Sequence, residues 1–397
     1  MYVSTHRLPG RALLRSVPAN VLALGLVSLV TDVSSEMVTA VLPLYLVLVL
    51  GLNPLQLGVL DGIYAGVTTL VRLAGGHVAD RRQRRKLVAA AGYALSAFAK
   101  LGLLAAGASV GALGAVIAAD RTGKGLRTAP RDALISLSTP PERLGQAFGV
   151  HRTMDTLGAL LGPLAAFGVL AATGGAYDAV FLVSFCVAAL GVVLLVLYVR
   201  DRRESVAAEP LALVSVLRDR AFRRLCGAAA LLGLVTVSDF FVYLLLQKRL
   251  DIAPHLFPLL PLGTAAAYLL LAVPLGRLAD RRGRVVVFLG GHVALLGAYL
   301  LLMGTPTGAL VLVAVLVLHG GFYAATDGVL MSVAGAMLAG GVRTSGMAVL
   351  QTAQAAARLC SSIAFGALWT AWDARTGLLT MAGGLVLALL TAWRTTR

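Results

Sequence analysis

The sequence predicts an all-α membrane protein of twelve spanning helices arranged as two repeated six-helix bundles. Three observations predict it: an apolar excess, twelve apolar stretches of spanning length, and a loop motif that recurs after the second stretch of each half. Of 397 residues, 58% are hydrophobic and 13% charged, and the mean hydropathy is +0.87. A soluble domain carries roughly 25% charge. An apolar excess of this size needs lipid around it.

Stretches of roughly 18–32 residues suit single bilayer crossings, the longest by tilting. The first six fall at 19–50, 56–79, 87–107, 111–135, 147–171 and 177–199. The second six fall at 225–247, 256–279, 285–304, 308–335, 344–371 and 376–393. The longest polar stretch between them, 200–224, carries RDRRES and RDRAFRR. It is the expected cytoplasmic linker between a bundle at 1–199 and a bundle at 225–397. The basic first 18 residues precede an apolar run too long for a signal-peptide core, so the first helix is expected to be retained.

The net charge of +16 would suggest nucleic acid in a soluble protein. Here the arginines cluster in short loops between apolar runs, so no nucleic-acid partner is expected. Placing the N-terminus, the even-numbered loops and the C-terminus on one side collects 22 Lys and Arg residues there. The opposite loops hold Lys248, Arg249 and Arg375 alone. That asymmetry predicts both termini in the cytoplasm of a multi-pass cell-membrane protein. Cys186, Cys226 and Cys360 are isolated in apolar stretches and read as small buried residues, with no disulfide or zinc spacing.

The internal repeat is explicit. Residues 76–84 read GHVADRRQR and residues 276–284 read GRLADRRGR, each after the second span of its half. Weaker echoes pair SLVTDVS (28–34) with GLVTVSD (233–239), and PRDALISL (130–137) with ATDGVLMS (325–332). Two copies in the same orientation form a parallel repeat, with the substrate path between them.

These stretches resemble the major facilitator superfamily over essentially the full chain. The run from Gly76 through Asp80, Arg81 and Arg84 resembles that family's loop signature, with Gln83 where glycine is usual; Gly276, Asp280, Arg281 and Arg284 match it more closely. The resemblance implies a gate in which the helix-end acid contacts the opposite half when the cytoplasmic side closes. The plainer reading is a positive-inside anchor. Gly149, Gly158, Gly162 and Pro163 resemble the fifth-helix motif of proton-driven exporters, although Ala166 and Phe167 replace its closing glycines. An ordinary small-residue helix interface is the alternative. The segments 120–135 and 148–164 resemble a bacterial and archaeal subgroup of these permeases, some of whose relatives are linked to metal resistance.

Charged residues inside spans mark the candidate site, because an unpaired charge at mid-bilayer costs several kcal/mol. Asp32 and Glu36 lie four apart on one face of the first span. Asp120, Arg121, Lys124, Arg127, Arg131 and Asp132 fall on one broad face of the fourth, which must line a wet cavity or meet acids on its neighbours. Counting about 1.5 Å per residue puts Arg121 at the depth of Asp32. Asp32 and Glu36, biased by Arg121 and Lys124, are therefore the expected proton-coupling acids; a permanent salt bridge is the alternative. Asp61 and Arg72 lie on the second span and Lys100 on the third. In the second half the buried charges are Asp239, Asp327 and, on the eleventh span, Arg358. The resemblance implies that the first, fourth, seventh and tenth spans line the cavity, which makes Asp239 and Asp327 cavity acids, with Phe240, Phe241, Tyr243, Phe322 and Tyr323 beside them. Arg152 and Asp155, one turn apart, read as a structural salt bridge.

No HExxH, GxSxG or GxxxxGK[ST] motif occurs, so neither an enzyme nor an ATP-driven pump is expected, and no cofactor or metal site. The expected function is secondary antiport: a small molecule exported against protons by a monomer in the bilayer. The alternatives are proton-coupled import of an anion drawn to the basic fourth span, or export of a metal ion, for which the Cys/His clustering of soft metals is missing.

Two expectations can be checked directly. A phosphatase fused after Arg397 should be inactive and a cytoplasmic reporter active; the reverse pattern would refute the topology. Asp80→Asn should impair transport at normal insertion, whereas wild-type rates at matched expression would reduce the loop to an anchor.

Overall fold

The computed structural model describes residues 17–82, 84–202, 216, 218–305, 307–338 and 343–396, without the side chains of 72–82, 343, 344 and 396. Twelve helical spans run through it: α1 Ala19–Leu44, α2 Pro54–Arg82, α3 Arg85–Ala105, α4 Val110–Leu137, α5 Leu144–Ala172 and α6 Tyr177–Tyr198. The second set comprises α7 in two pieces, Arg220–Leu234 and Asp239–Leu250, then α8 Leu259–Arg282, α9 Arg284–Met303, α10 Ala309–Met337, α11 Arg343–Ala371 and α12 Ala374–Thr396. Ten spans are long and apolar enough to cross a membrane. The two others are α4, with its six charged residues, and α11, rich in Ser, Thr and Gln.

Helix packing repeats with an offset of six. In the first half α1 packs on α5 and α6, α2 on α4, and α3 on α4 and α6; in the second half α7 packs on α11 and α12, α8 on α10, and α9 on α10 and α12. Across the halves α2 meets α11 and α5 meets α8, contacts exchanged by the same pseudo-symmetry. The repeat seen in the loop motif is thus a repeat of packing.

Three local readings are corrected. The expected linker 200–224 gives up its last five residues to α7, because the Asp219 side chain accepts from Ala221 N (2.8 Å) and Phe222 N (3.3 Å) and caps a new first turn. The seventh span is broken at Val235–Ser238. Its freed backbone is satisfied from other helices: Val237 N donates to Tyr299 Oη (2.6 Å), and Thr236 O accepts from Ser361 Oγ (2.7 Å). Finally, Cys186 and Cys360 are exposed on the bundle surface, and only Cys226 is buried.

The halves are sealed at the end opposite the duplicated loops. There Leu55 N donates to Thr370 Oγ1 (2.9 Å), and the Phe167 and His255 rings lie 6.3 Å apart. A Cβ at Gly366 would overlap the Pro54 carbonyl, and one at Gly58 the Ser362 carbonyl, so glycine sets how closely α2 and α11 approach. At the loop end Asp280 is 69% exposed and Arg152 80%, and Thr69, Gln351 and Gln354 line a pocket between α2, α10 and α11.

Tyr299→Phe should leave the buried Val237 N–H unpaired, at a cost of about 1–3 kcal/mol. A clear fall in the unfolding temperature of the purified protein is expected; an unchanged temperature would mean that the α7 break is held by something else.

Candidate functional site

α4 and α1 run antiparallel, and their polar residues meet rung by rung. Arg131 donates to Ser28 Oγ (3.2 Å), Arg127 pairs with Asp32 (3.4 Å), and Lys124 approaches Glu36 (3.9 Å). The spacing of 28, 32 and 36 against 131, 127 and 124 keeps each pair on facing sides of two helices. The next cation, Arg121, turns away from α1. It pairs with Asp120 and lies 4.0 Å over the Tyr64 ring, while Lys100 (3.4 Å) and Ser96 (2.5 Å) complete the carboxylate of Asp120. Arg127, rather than the expected Arg121, is thus the partner of Asp32. The fourth-span face is filled by pairs: Arg131 also meets Asp132 (3.0 Å) and Asp155 (3.7 Å).

The fifth-helix motif packs against these acids. A Cβ on Gly158 would come within 2.5 Å of Leu29 O and 3.1 Å of Asp32 Cβ; one on Gly162 would come within 2.6 Å of Glu36 Cβ. Those two glycines let α5 lie directly behind Asp32 and Glu36, and Pro163 follows them, buried. Gly149 has open space around its Cβ position, so close packing gives no reason for it. Arg152 pairs with Asp155 (3.4 Å) with its own side chain largely in the open.

Between the halves lies a cavity of about 370 Å³. Glu36, Asp61, Asp239 and Asp327 line it, with Arg358 as the one cation on its described wall. Asp32 and Lys124 stand behind Glu36, outside that lining. The Asp239 carboxylate accepts from His319 Nε2 (2.8 Å) and Tyr323 Oη (2.7 Å); Asp327 is 3.9 Å from Arg358. Asp61 accepts from Ser362 Oγ across the seam and has no ion-pair partner among the described residues. Tyr64 joins the two halves, its hydroxyl 2.7 Å from Thr39 Oγ1 and its ring 5.5 Å from Phe240.

Of the gate residues, Asp280 and Arg284 form a 3.5 Å pair at the loop end, Arg284 also donates to Ser332 O (3.1 Å), and Arg84, Arg281 and the helix end around Gly276 are at the surface or partly so. The side chains of Gly76, Asp80 and Arg81 lie outside the described residues. Sequence reasoning left Asp61 and His319 out of the site. His319, Tyr323 and Asp327 are spaced i, i+4 and i+8 on α10, a signal that would have placed all three on one face. The contact of Asp61 with Ser362 spans 301 positions and has no local signature.

The model of the Major Facilitator Superfamily matches residues 24–253. An uncharacterized MFS-type transporter of Methanocaldococcus jannaschii is 41% identical over 150 residues, 37% of this chain and 36% of that protein; the match spans about a third of the relative's length. A point-mutant crystal structure of the nucleoside transporter NupG superposes with a TM-score of 0.83 at 16% identity, covering 95% of this chain and all of that one. A bacterial homologue of the human lysosomal transporter Spinster, in an inward-facing and occupied conformation, superposes at 0.73 and 16%, covering 95% and 96%. These likenesses support the fold. With the family model covering more than half the chain and the expected twelve-helix architecture in place, the chain belongs to the Major Facilitator Superfamily.

Proposed function

We propose that the protein is a proton-coupled antiporter that exports a small molecule by alternating access. The observation that carries this reading is the double row of α1 acids and α4 cations beside the cavity. Asp32 and Glu36 each meet a cation at a distance above a tight charge-assisted bond. A carboxylate so held can exchange its cation for a proton: the proton adds to a carboxylate oxygen, the N–H···O contact lapses, and Arg127 or Lys124 turns to water or to the neighbouring rung. Glu36 borders the cavity and is the acid that substrate and water meet first; Asp32 lies one turn deeper, against α5.

The packing of Gly158 and Gly162 on the two acids supports coupling between protonation and helix movement. A proton that loosens the α1–α4 rungs changes how α1 sits on α5, and α5 is one of the helices that cross between halves. In this reading the bundles 1–199 and 220–397 rock about the cavity, with the duplicated loops and both termini in the cytoplasm of the cell membrane and a monomer as the working unit. The structure is then in its inward-open state.

Import of an anion loses the feature that suggested it, since Arg121, Lys124, Arg127 and Arg131 all have acidic partners. Export of a metal ion finds no group of three His, Cys, Asp or Glu side chains in ligand spacing among the described residues.

In liposomes, Asp32→Asn should abolish movement driven by a pH gradient while sparing downhill exchange, and its transport should lose the wild-type pH dependence. An unaltered pH profile with intact proton coupling would sink the proposal. Lower expression or melting temperature with that same profile would assign Asp32 to a structural bridge.

A further inference from the structure

We propose that the cargo is an organic cation, such as a protonated or quaternary amine, seated in the central cavity against Asp239 and Asp327. The inference rests on the transport reading above and adds the substrate class to it.

The cavity's charge is one-sided. Four carboxylates face it and one guanidinium, Arg358, answers them from α11. Arg358 stands 3.9 Å from Asp327 and 5.9 Å from the Tyr323 ring centre, so it partly balances Asp327. Asp239 is supported by two donors that bring no fixed charge. His319 offers Nε2, and its Nδ1 is buried without a partner among the described residues. Asp239 nevertheless keeps 40% of its side chain exposed. A carboxylate oriented by two donors and open on one side is a seat for a cation.

The walls suit an organic cation better than a hydrated metal ion. Tyr64, Tyr243, Tyr268 and Tyr323 are among the residues lining the space, and an ammonium within about 6 Å of such a ring is held by roughly 0.5–2 kcal/mol. Arg121 over Tyr64 shows that a cation already stacks on one of these rings. Thr264, 5% exposed, lines the same cavity beside the Tyr243 hydroxyl and adds a polar group to its wall. The volume of about 370 Å³ lies in the range of small-molecule sites.

A cationic cargo also explains the exchange. The groups facing Asp239 are His319, Tyr323 and Asp327 of α10, Arg358 of α11, Asp61 of α2, Glu36 of α1 and Tyr243 of its own helix. A cation in the cavity favours the ionised form of Glu36, which lines it, so its entry releases H⁺ from that acid to the water and a returning H⁺ weakens the cation's seat. Positive charge leaves in one direction and enters in the other, which is antiport.

The test is ligand binding to the purified full chain, by calorimetry, with tetramethylammonium, benzyltrimethylammonium and tetraphenylphosphonium as cations of rising size. Benzyl alcohol and benzenesulfonate serve as neutral and anionic counterparts. At least one cation should bind tenfold or more tightly than both counterparts, more weakly at pH 5 than at pH 8. Asp239→Asn, and the more exposed Asp327→Asn, should each weaken it tenfold or more. Cations binding no better than the counterparts, or both variants binding like wild type, would overturn the proposal. Proteoliposome transport separates its failure from that of antiport. Cation binding without pH-gradient-driven movement would remove antiport and keep the cargo class; gradient-driven movement of the neutral or anionic compound alone would do the reverse.

Discussion

Charge held inside a membrane must find a partner, and the rest of the first bundle is arranged around satisfying that requirement on α4. Four cations in eleven residues could not face lipid. Their partners on α1, on α5 and within α4 itself fix the stagger of three helices at once: Arg131 at Ser28, Arg127 at Asp32, Lys124 at Glu36. Glycine at 158 and 162 then brings α5 against the backs of the same acids. Breaking one rung by removing a single partner would strand the other charge, which costs about 3–5 kcal/mol where the pair is buried. A proton added to the acid avoids that penalty only if the cation finds a new position, and this is the physical link between protonation and helix movement.

The second bundle repeats the packing of the first without repeating its chemistry. Where α4 carries four cations, α10 carries Asp327 and contributes a histidine and a tyrosine to Asp239. The outcome is a division of labour along one pseudo-symmetric frame: paired charges behind Glu36 on one side, open carboxylates and tyrosines on the other. Asp61, reaching Ser362 across the seam, joins the two at the sealed end.

The number of spans, their order and the repeat were legible in the sequence because hydropathy and loop motifs are local properties. What depended on distant residues was not. The break in α7 contains neither glycine nor proline; its backbone groups rely on Tyr299 and Ser361, 62 and 125 positions from the residues they serve. The one broad face of α4 was readable from helical spacing, but the choice of Arg127 over Arg121 as partner of Asp32 depends on the axial stagger of two helices. A difference of six residues, about 9 Å along the axis, lies within the combined error of counting from the expected ends of two helices. Asp239 and Asp327 stood out as charges in apolar stretches, and only the resemblance turned them toward a cavity; the part of His319 required the fold.

The account's central claim is that protonation of the α1 acids moves the two bundles about the cavity. It is tested most directly by a pulsed electron-spin distance between labels at Leu48→Cys and Trp372→Cys, both exposed at the sealed end, in a chain otherwise freed of cysteine and reconstituted in lipid. The account predicts a short and a long population whose ratio changes between pH 8 and pH 5, and a ratio insensitive to pH when Asp32→Asn and Glu36→Gln are combined. A single short distance at both pH values, or a shift that survives in the double variant, would contradict it.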